Sequence, residues 1–235
     1  MGVCRQLREC CSERSNGLSL GRFRRSFMSM SKRIALINYG MGNLRSVENA
    51  LRKVGSDPVI VTDPKEIGDA AGLVLPGVGA LQDCVDGLHA AGFPDFIKGW
   101  ISEDRPFLGV CLGLQALFEH SEERDVKGLG IFEGRVKRFT SRPGLKIPHM
   151  GWNNAKLLQA GSPFWEGLSG SDDRFYFVHS YFVKPEDASL SLTSTDYDGV
   201  FTSSIAKGNT LACQFHPEKS QAKGLRVYEN FVKQC

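Results

Sequence analysis

The pattern with the most chemical meaning is a cysteine between two glycines, in the stretch Gly109-Val110-Cys111-Leu112-Gly113. It follows an apolar run and precedes a predicted helix, so it fits the G-x-nucleophile-x-G turn in which a strand passes sharply into a helix. Small neighbours allow that turn to lift the thiol out of the sheet, and the start of a helix favours the thiolate. The backbone N–H of Leu112 would then point to where an oxyanion forms. A buried structural cysteine beside helix-packing glycines is the alternative, because free cysteine is often buried.

A thiol nucleophile needs a base, and His216 is the best candidate among five histidines. It directly follows the apolar strand predicted at Leu211–Phe215. Because the carboxyl ends of parallel strands share one edge of a sheet, this position can meet Cys111. Glu218 is close enough in sequence to bond the far imidazole nitrogen and hold its tautomer. The sequence therefore predicts a triad of cysteine, histidine and glutamate.

A glycine-rich segment, Pro76-Gly77-Val78-Gly79, follows another predicted strand. Glycines let backbone N–H groups face an anion, so a phosphate loop is one interpretation. The chain has neither G-x-G-x-x-G nor GK[ST], however, and a nucleotide site has little support. A strand that supplies a second oxyanion N–H from Val78 or Gly79 fits better beside a nucleophile. A plain turn is the remaining alternative.

The elements that must position these residues alternate between strand and helix after residue 32, which favours an α/β fold. We expect a mostly parallel central sheet with helices on both faces and a partly antiparallel second layer. In the first half, strands are predicted at Ile34–Ile37, Val59–Val61, Gly72–Leu75 and Phe107–Val110, and helices at Asn43–Val54, Ala80–Ala91, Pro94–Glu103 and about Leu112–Ser121. In the second half, strands are predicted at Gly134–Thr140, Asn153–Leu158, Arg174–Val183, Val200–Lys207 and Leu211–Phe215, with a closing helix at Leu225–Lys233.

Composition excludes several classes of function. The chain is 41% apolar and 23% charged, as in an ordinary globular protein. Its net charge of +3 is divided between +6 in residues 1–33 and −3 in the rest, so we predict no nucleic-acid surface. No apolar run approaches the roughly 20 residues of a membrane-spanning helix, so no membrane association is predicted. Seven irregularly spaced cysteines predict neither a disulfide framework nor a zinc site, and favour a reducing, cytoplasmic location.

Residues 1–30 are rich in Arg, Ser and Gly and lack a sustained apolar period. We predict a disordered N-terminal extension there, before a single domain at residues 31–235. An Arg-rich organellar transit peptide is one interpretation of the extension. We favour a non-native extension, with translation starting at Met28 or Met30, because the first predicted strand follows closely.

Deleting residues 1–29 tests the extension directly. Because the segment has no periodic apolar face to bury, the deletion should change neither the melting temperature nor the activity measurably. Thermal unfolding and steady-state kinetics of the shortened and full-length chains would check this. A loss of several degrees in melting temperature would show that the segment packs on the domain.

These motifs together resemble the class I glutamine amidotransferases, a family that uses a cysteine elbow and a late His-Pro-Glu. The resemblance spans about residues 33–235 and is carried by Asn38–Val47, Pro76–Gly79, Gly109–Gln115, Pro148–Asn153, Tyr176–Tyr181 and Gln214–Ser220. Many members share the elbow and the His-Pro-Glu. The Asn38–Asn43 and Pro148–Asn153 stretches are more specific and resemble glutaminase subunits that serve a separate synthase.

The resemblance implies that Cys111 is the nucleophile, His216 the base and Glu218 its orienter. It further implies an oxyanion hole at Val78, Gly79 and Leu112, a glutamine pocket at Gln115, Glu123, Ser180 and Tyr181, and a partner face at Asn43, Trp152 and Lys219. The implied partner is a synthase subunit with a (β/α)₈ barrel, bound as a heterodimer and supplied with ammonia through a tunnel. No metal or organic cofactor is implied on this chain.

Two other functions stay open at this point. One is a thioesterase, peptidase or γ-glutamyl hydrolase that uses the same cysteine chemistry without a partner. The other is a non-catalytic regulatory subunit on a similar fold. The complete set of Cys111, His216 and Glu218 argues against the second, because degenerate relatives usually lose one member.

Overall fold

The computed structural model describes residues 31–235. The predictions for residues 1–30 concern positions outside the described residues. The strands are β1 Arg33–Ile37, β2 Asp57–Val61, β3 Gly72–Gly77, β4 Phe107–Cys111, β5 Phe118–Ser121, β6 Val126–Lys127, β7 Phe132–Arg138, β8 His149–Leu157, β9 Asp173–His179, β10 Tyr181–Pro185, β11 Ser191–Asp196, β12 Val200–Lys207 and β13 Thr210–Cys213. The helices are α1 Leu44–Lys53, α2 Leu81–Ala90, α3 Phe93–Ser102, α4 Leu112–Gln115 and α5 Gln221–Gln234. Short 3₁₀ turns lie at Pro64–Glu66, Pro163–Trp165, Ala188–Leu190 and Pro217–Lys219.

The centre of the sheet is parallel. Strands β2, β1, β3, β4 and β13 lie side by side in that order, and each neighbouring pair runs in the same direction. Both β3 and β4 are buried along their whole length, as strands covered by helices on both faces must be. The carboxyl ends of β3, β4 and β13 therefore meet at one edge of the sheet.

Alternation along β1 shows how the two faces are filled. Ala35 and Ile37 pack in one apolar cluster with helices α2 and α3. Ile34 and Leu36 point the other way and pack in a second cluster with helices α1 and α5. Because successive strand residues face opposite sides, one strand contributes to both layers of the core. The predicted sheet with helices on both faces is confirmed.

The second half of the chain extends the sheet in antiparallel fashion. Strands β12, β10 and β7 follow β13, and β5 then pairs in parallel with β7. Strand β11 joins β12 to β8, and β8 pairs with β9 as the added layer. Strands β6 and β11 were not predicted from the sequence. The strand predicted at Arg174–Val183 is two strands, with Ser180 between β9 and β10.

The helix predicted at about Leu112–Ser121 is wrong beyond Gln115. Residues Phe118–Ser121 form β5 instead, with Phe118 opposite Phe132 and Ser121 opposite Val136 in β7. The apolar residues of this stretch fit either period, and pairing with β7 decides the outcome. Among residues 31–235 there is no helix with the length and apolar character needed to cross a bilayer.

Candidate active site

The turn at Cys111 has the conformation expected of an elbow. Cys111 ends β4 with φ of 55° and ψ of −104°, and α4 begins at the next residue. Positive φ is uncommon outside glycine, and such strain clusters at functional sites. Small neighbours are required here, because a Cβ on Gly109 would lie 2.7 Å from the carbonyl oxygen of Gly113. Since α4 has only four residues, its macrodipole is small, and the sequence-based expectation that the helix start favours the thiolate stays a prediction.

The second element is the segment after β13. Parallel pairing of β13 with β4, with Cys213 opposite Val110, brings this segment beside the elbow. His216 Nδ1 lies 2.8 Å from Glu218 Oε1, and both side chains are only 1% exposed. The Nε2 atom of His216 is buried and has no hydrogen-bond partner among the described residues. It is therefore free to exchange a proton within the site.

Charge around His216 favours its protonated form. Burial alone would lower the pKa of His216, but the nearby Cys111 sulfur and the Glu218 carboxylate outweigh burial and raise it. A raised pKa makes an imidazolium available at neutral pH. An imidazolium beside a cysteine is the arrangement that stabilises a thiolate and later protonates a leaving group.

The glycine segment borders the elbow on its other side. In the pairing of β3 with β4, Gly77 lies opposite Cys111, so Val78 and Gly79 leave the sheet beside the nucleophile. Gly79 has φ of 98°. Helix α2 starts just after this segment, and its first N–H, from Leu81, donates to Glu123 Oε2 at 2.8 Å. Glu123 therefore anchors the start of α2 as well as facing the cavity.

Most of the predicted site residues line one cavity of about 510 Å³. Its lining includes Asn43, Val78, Gly79, Cys111, Leu112, Gln115, Glu123, Ser180, Tyr181, His216 and Lys219. The two predicted residues outside the lining are Glu218, which sits behind His216, and Trp152. A cavity of this size suits a small-molecule substrate.

Gln115 has a defined orientation in this cavity. Its Nε2 donates to the main-chain oxygen of Tyr181 at 3.1 Å and to Gln214 Oε1 at 2.9 Å. Both hydrogens of the amide are used in this way, so Gln115 Oε1 remains to accept from a ligand. Tyr181 thus contributes its main-chain carbonyl to the hydrogen bonding of the pocket.

Two of the three predicted partner residues, Trp152 and Lys219, lie around Tyr176. Trp152 in β8 is 41% exposed and packs edge-on against Tyr176, with ring centroids 6.2 Å apart. On the same ring, Lys219 Nζ lies 5.8 Å from the centroid. Met150, also in β8, is 62% exposed. Exposed Met and Trp side chains on one strand are typical of a surface that binds another protein.

Two buried histidines were not singled out from the sequence. In the pairing of β8 with β9, His149 lies directly opposite His179, with Nδ1 of the first 3.0 Å from Nε2 of the second. His179 Nδ1 lies 2.7 Å from the carbonyl oxygen of Tyr181, which can only accept. Nδ1 therefore carries the proton, and His179 Nε2 accepts from His149. His149 Nε2 in turn accepts from Asn153 Nδ2 at 3.3 Å.

This series of hydrogen bonds requires both imidazole rings to be neutral, because one nitrogen of each ring accepts a hydrogen bond. Burial lowers the pKa of His149 from 6.5 to about 4. Burial, with the neighbouring charges of His149 and His216, lowers the pKa of His179 to about 3, although its bond to Tyr181 opposes this. Protonation of His179 Nε2 would break the hydrogen bond that it accepts from His149, so the link between the two rings requires the neutral form.

Acid should destabilise the fold through this pair. Because both pKa values are depressed in the folded chain, protonation favours the unfolded chain. The free energy of unfolding is therefore unaffected by protonation of the pair above pH ~6.5. It decreases as the pH falls below that value, by about 2 kcal/mol per imidazole at pH 5. Urea unfolding at pH 7, 6 and 5 would measure this.

Two variants make that measurement specific. His149→Phe, which keeps the stacking with Phe177 and Tyr197, should lose less stability than the wild type between pH 7 and 5. His89→Gln, at an exposed position, should behave like the wild type. Equal pH dependence in all three chains would contradict the assignment.

Comparison with known proteins identifies one family for this chain. The family described as glutamine amidotransferase class-I matches residues 35–235. The imidazole glycerol phosphate synthase subunit HisH of Thermosynechococcus vestitus is 52% identical over 200 residues, which cover 85% of this chain and 95% of that protein. The HisH subunit of Acinetobacter baylyi is 46% identical over 202 residues, covering 86% of this chain and 98% of that protein. Among solved structures, PurLQS of Thermotoga maritima has a TM-score of 0.70 at 19% identity, covering 87% of this chain and 99% of that one, a likeness of fold alone.

Proposed function

This chain belongs to the class-I glutamine amidotransferase family, and we propose that Cys111, His216 and Glu218 are its catalytic triad. The chain is a glutaminase that forms part of a two-component imidazole glycerol phosphate synthase and acts in histidine biosynthesis. The observation that carries the triad is the buried His216–Glu218 pair. The Nε2 atom of His216, which has no hydrogen-bond partner within residues 31–235, shares a cavity with the strained Cys111.

The first half of the reaction forms a thioester. Cys111 thiolate attacks the side-chain amide carbon of glutamine, and the carbonyl electrons move onto oxygen. The N–H groups of Leu112 and of the Val78–Gly79 segment stabilise that oxyanion. As the oxyanion collapses, the C–N bond breaks and His216 Nε2–H protonates the departing nitrogen. Ammonia leaves, and a γ-glutamyl thioester remains on Cys111.

The second half releases glutamate. The now neutral His216 removes a proton from water, and the hydroxide oxygen adds to the thioester carbon. The C–S bond then breaks, which restores the Cys111 thiolate beside an imidazolium. Glu218 keeps the imidazole in the required tautomer through Nδ1. These steps use the three side chains of the triad, the main-chain N–H donors of the oxyanion hole and water.

We assign substrate contacts to the cavity lining. Gln115 Oε1 and the Glu123 carboxylate are acceptors suited to the ammonium group of glutamine. Ser180 and Tyr181 border the same space. Glu123 has a double role in this proposal, since it also accepts from Leu81 at the start of α2.

The partner is a synthase subunit, and we propose that it is a (β/α)₈ barrel that binds at Asn43, Trp152 and Lys219. Two of these residues also line the cavity, so the partner would close over the site of ammonia release. Such closure would pass ammonia on before solvent protonates it. We propose a cytoplasmic location, which the free thiols of Cys84, Cys111, Cys213 and Cys235 support.

Glutamate release from glutamine tests this function. It should be measured for the chain alone, with the cognate synthase subunit, and with that subunit loaded with its ribonucleotide ligand. We expect the loaded complex to be the fastest. A chain that is fully active alone would instead favour an independent γ-glutamyl hydrolase.

A further inference from the structure

We propose that Gln214 is a positioning residue that holds the Cys111 sulfur and connects it to the glutamine pocket. The inference rests on the proposed role of Cys111. Gln214 follows β13 and is fully buried, and its own N–H donates to Ser203 O at 2.9 Å. Its Nε2 lies 3.6 Å from Cys111 Sγ, while its Oε1 accepts from Gln115 Nε2 at 2.9 Å.

The direction of these bonds follows from one main-chain carbonyl. Tyr181 O can only accept, so Gln115 must present its NH₂ group there. The second hydrogen of that NH₂ group points at Gln214, which must therefore present its oxygen. Rotating the Gln214 amide would bring two NH₂ groups together and leave the sulfur facing an oxygen. Gln214 consequently presents its NH₂ group to Cys111.

An N–H donor at this place favours the charged sulfur. It bonds a thiolate more strongly than a thiol, and it fixes the direction in which the sulfur points. The four-residue α4 has only a small macrodipole to add to this stabilisation. Gln214 thereby acts from the side of β13, together with His216 from the following loop.

Titratable groups from several elements surround the sulfur. Those that interact electrostatically with Cys111 are Tyr39 after β1, Cys84 in α2, Cys213 in β13 and His216. Glu123, His179 and Lys219 line the same cavity. Burial raises the pKa of Tyr39, of Cys84 and of Cys213, so all three are neutral near pH 7. Of these four groups only His216 carries charge at neutral pH, and Gln214 is the uncharged donor beside it.

The same amide chain connects substrate binding to the nucleophile. A glutamine ammonium group that bonds Gln115 Oε1 would hold the Gln115 side chain in place. Gln115 holds Gln214, and Gln214 holds the sulfur. Occupation of the pocket therefore fixes the position of the atom that attacks, which supports a near-attack geometry.

Two substitutions separate the donor from the acceptor. Gln214→Glu keeps an oxygen for Gln115 but replaces the donor at the sulfur with a carboxylate oxygen. Gln214→Met removes both functions with an unbranched side chain of similar length. We expect kcat to fall roughly 10- to 100-fold in both, the range for a hydrogen bond to a charged group. The KM for glutamine should change little in Gln214→Glu and rise in Gln214→Met, because only the second leaves Gln115 without this partner.

Alkylation of the full-length chain provides a readout without partner or glutamine. Iodoacetamide modification of Cys111 at pH 7, followed by mass spectrometry of its peptide, should be several-fold slower in both variants, because the thiolate is the form that reacts. Gln159→Glu makes the same chemical change outside this cavity, where Gln159 bonds Ser189 O. That control should match the wild type.

Each result either supports or contradicts the proposed role of Gln214. Unchanged alkylation and unchanged kcat in a folded variant would overturn the proposal, and melting temperatures establish which variants are folded. If the buried carboxylate of Gln214→Glu prevents folding, Gln214→Met decides alone. If Cys111→Ala keeps glutaminase activity, the proposed function fails, whereas slower alkylation of Cys111 in the Gln214 variants would still show that Gln214 acts on the sulfur.

Discussion

Replacing Cys111 with alanine is expected to abolish glutamine hydrolysis while the chain stays folded and still binds its synthase subunit. The thioester route has no substitute for sulfur, and loss of a triad nucleophile costs on the order of 10⁶ in kcat. Cys111 is 5% exposed at the wall of the cavity, so deleting one sulfur atom removes little packing. Glutamate release by the ligand-loaded complex measures the activity, and thermal unfolding checks the fold.

Two other cysteines provide matched controls. Burial raises the pKa of Cys84 to about 12 and that of Cys213 well above its ordinary value, so neither is a thiolate at neutral pH. Cys84→Ala and Cys213→Ala should therefore keep most of the activity. Turnover that survives in Cys111→Ala, or disappears only in one of the controls, would contradict the assignment of the nucleophile.

Local sequence was sufficient for the elbow and the parallel half of the sheet. Gly109 and Gly113 lie on either side of Cys111 because neither position tolerates a side chain. Five consecutive residues are therefore enough to indicate the turn. The strands β1, β3 and β4 are short apolar runs between turn residues. Such runs are typical of buried strands in a parallel sheet. His216 could be placed near Cys111 because parallel strands end at a common edge.

Contacts between distant elements could not be predicted in the same way. The pairing of β5 with β7 overrides a helical period, and the facing of His149 and His179 depends on the register of β8 and β9. Gln214 lies within a stretch that carries the family resemblance, but its role depends on where Gln115 and Tyr181 lie in space. No pattern of residues along the sequence indicates that these distant side chains lie next to each other.

The second large effect concerns the Val78–Gly79 segment. An oxyanion donor is often worth ~10²–10³ in rate, so a donor that turns away at rest would keep the chain nearly inactive. Gly79 has φ of 98°, where a side chain is strained, and glycine makes a peptide rotation here inexpensive. Glu123 holds the start of α2 just beyond, so the segment can rotate between two fixed ends.

We expect the synthase subunit, loaded with its ribonucleotide, to shift this segment to the conformation that completes the oxyanion hole. The gain is limited by how much more tightly the loaded partner binds that conformation. Because the donor acts on the transition state, kcat should rise roughly 10²- to 10³-fold with little change in the KM for glutamine. Steady-state kinetics of the lone chain and of the loaded complex would measure the ratio.

A pair of glycine substitutions tests whether Gly79 is the pivot. Gly79→Ala disfavours the positive φ and brings a Cβ to 2.7 Å from the end of the Met41 side chain, so the activation ratio should fall. Gly92→Ala imposes a similar backbone strain at φ of 74°, where a Cβ meets no atom within 4 Å. It should lower stability yet leave the ratio unchanged. Equal rates for the lone wild-type chain and the loaded complex would contradict this proposal. They would show that the Val78–Gly79 segment already completes the oxyanion hole in the lone chain, so that the partner causes no change in its conformation.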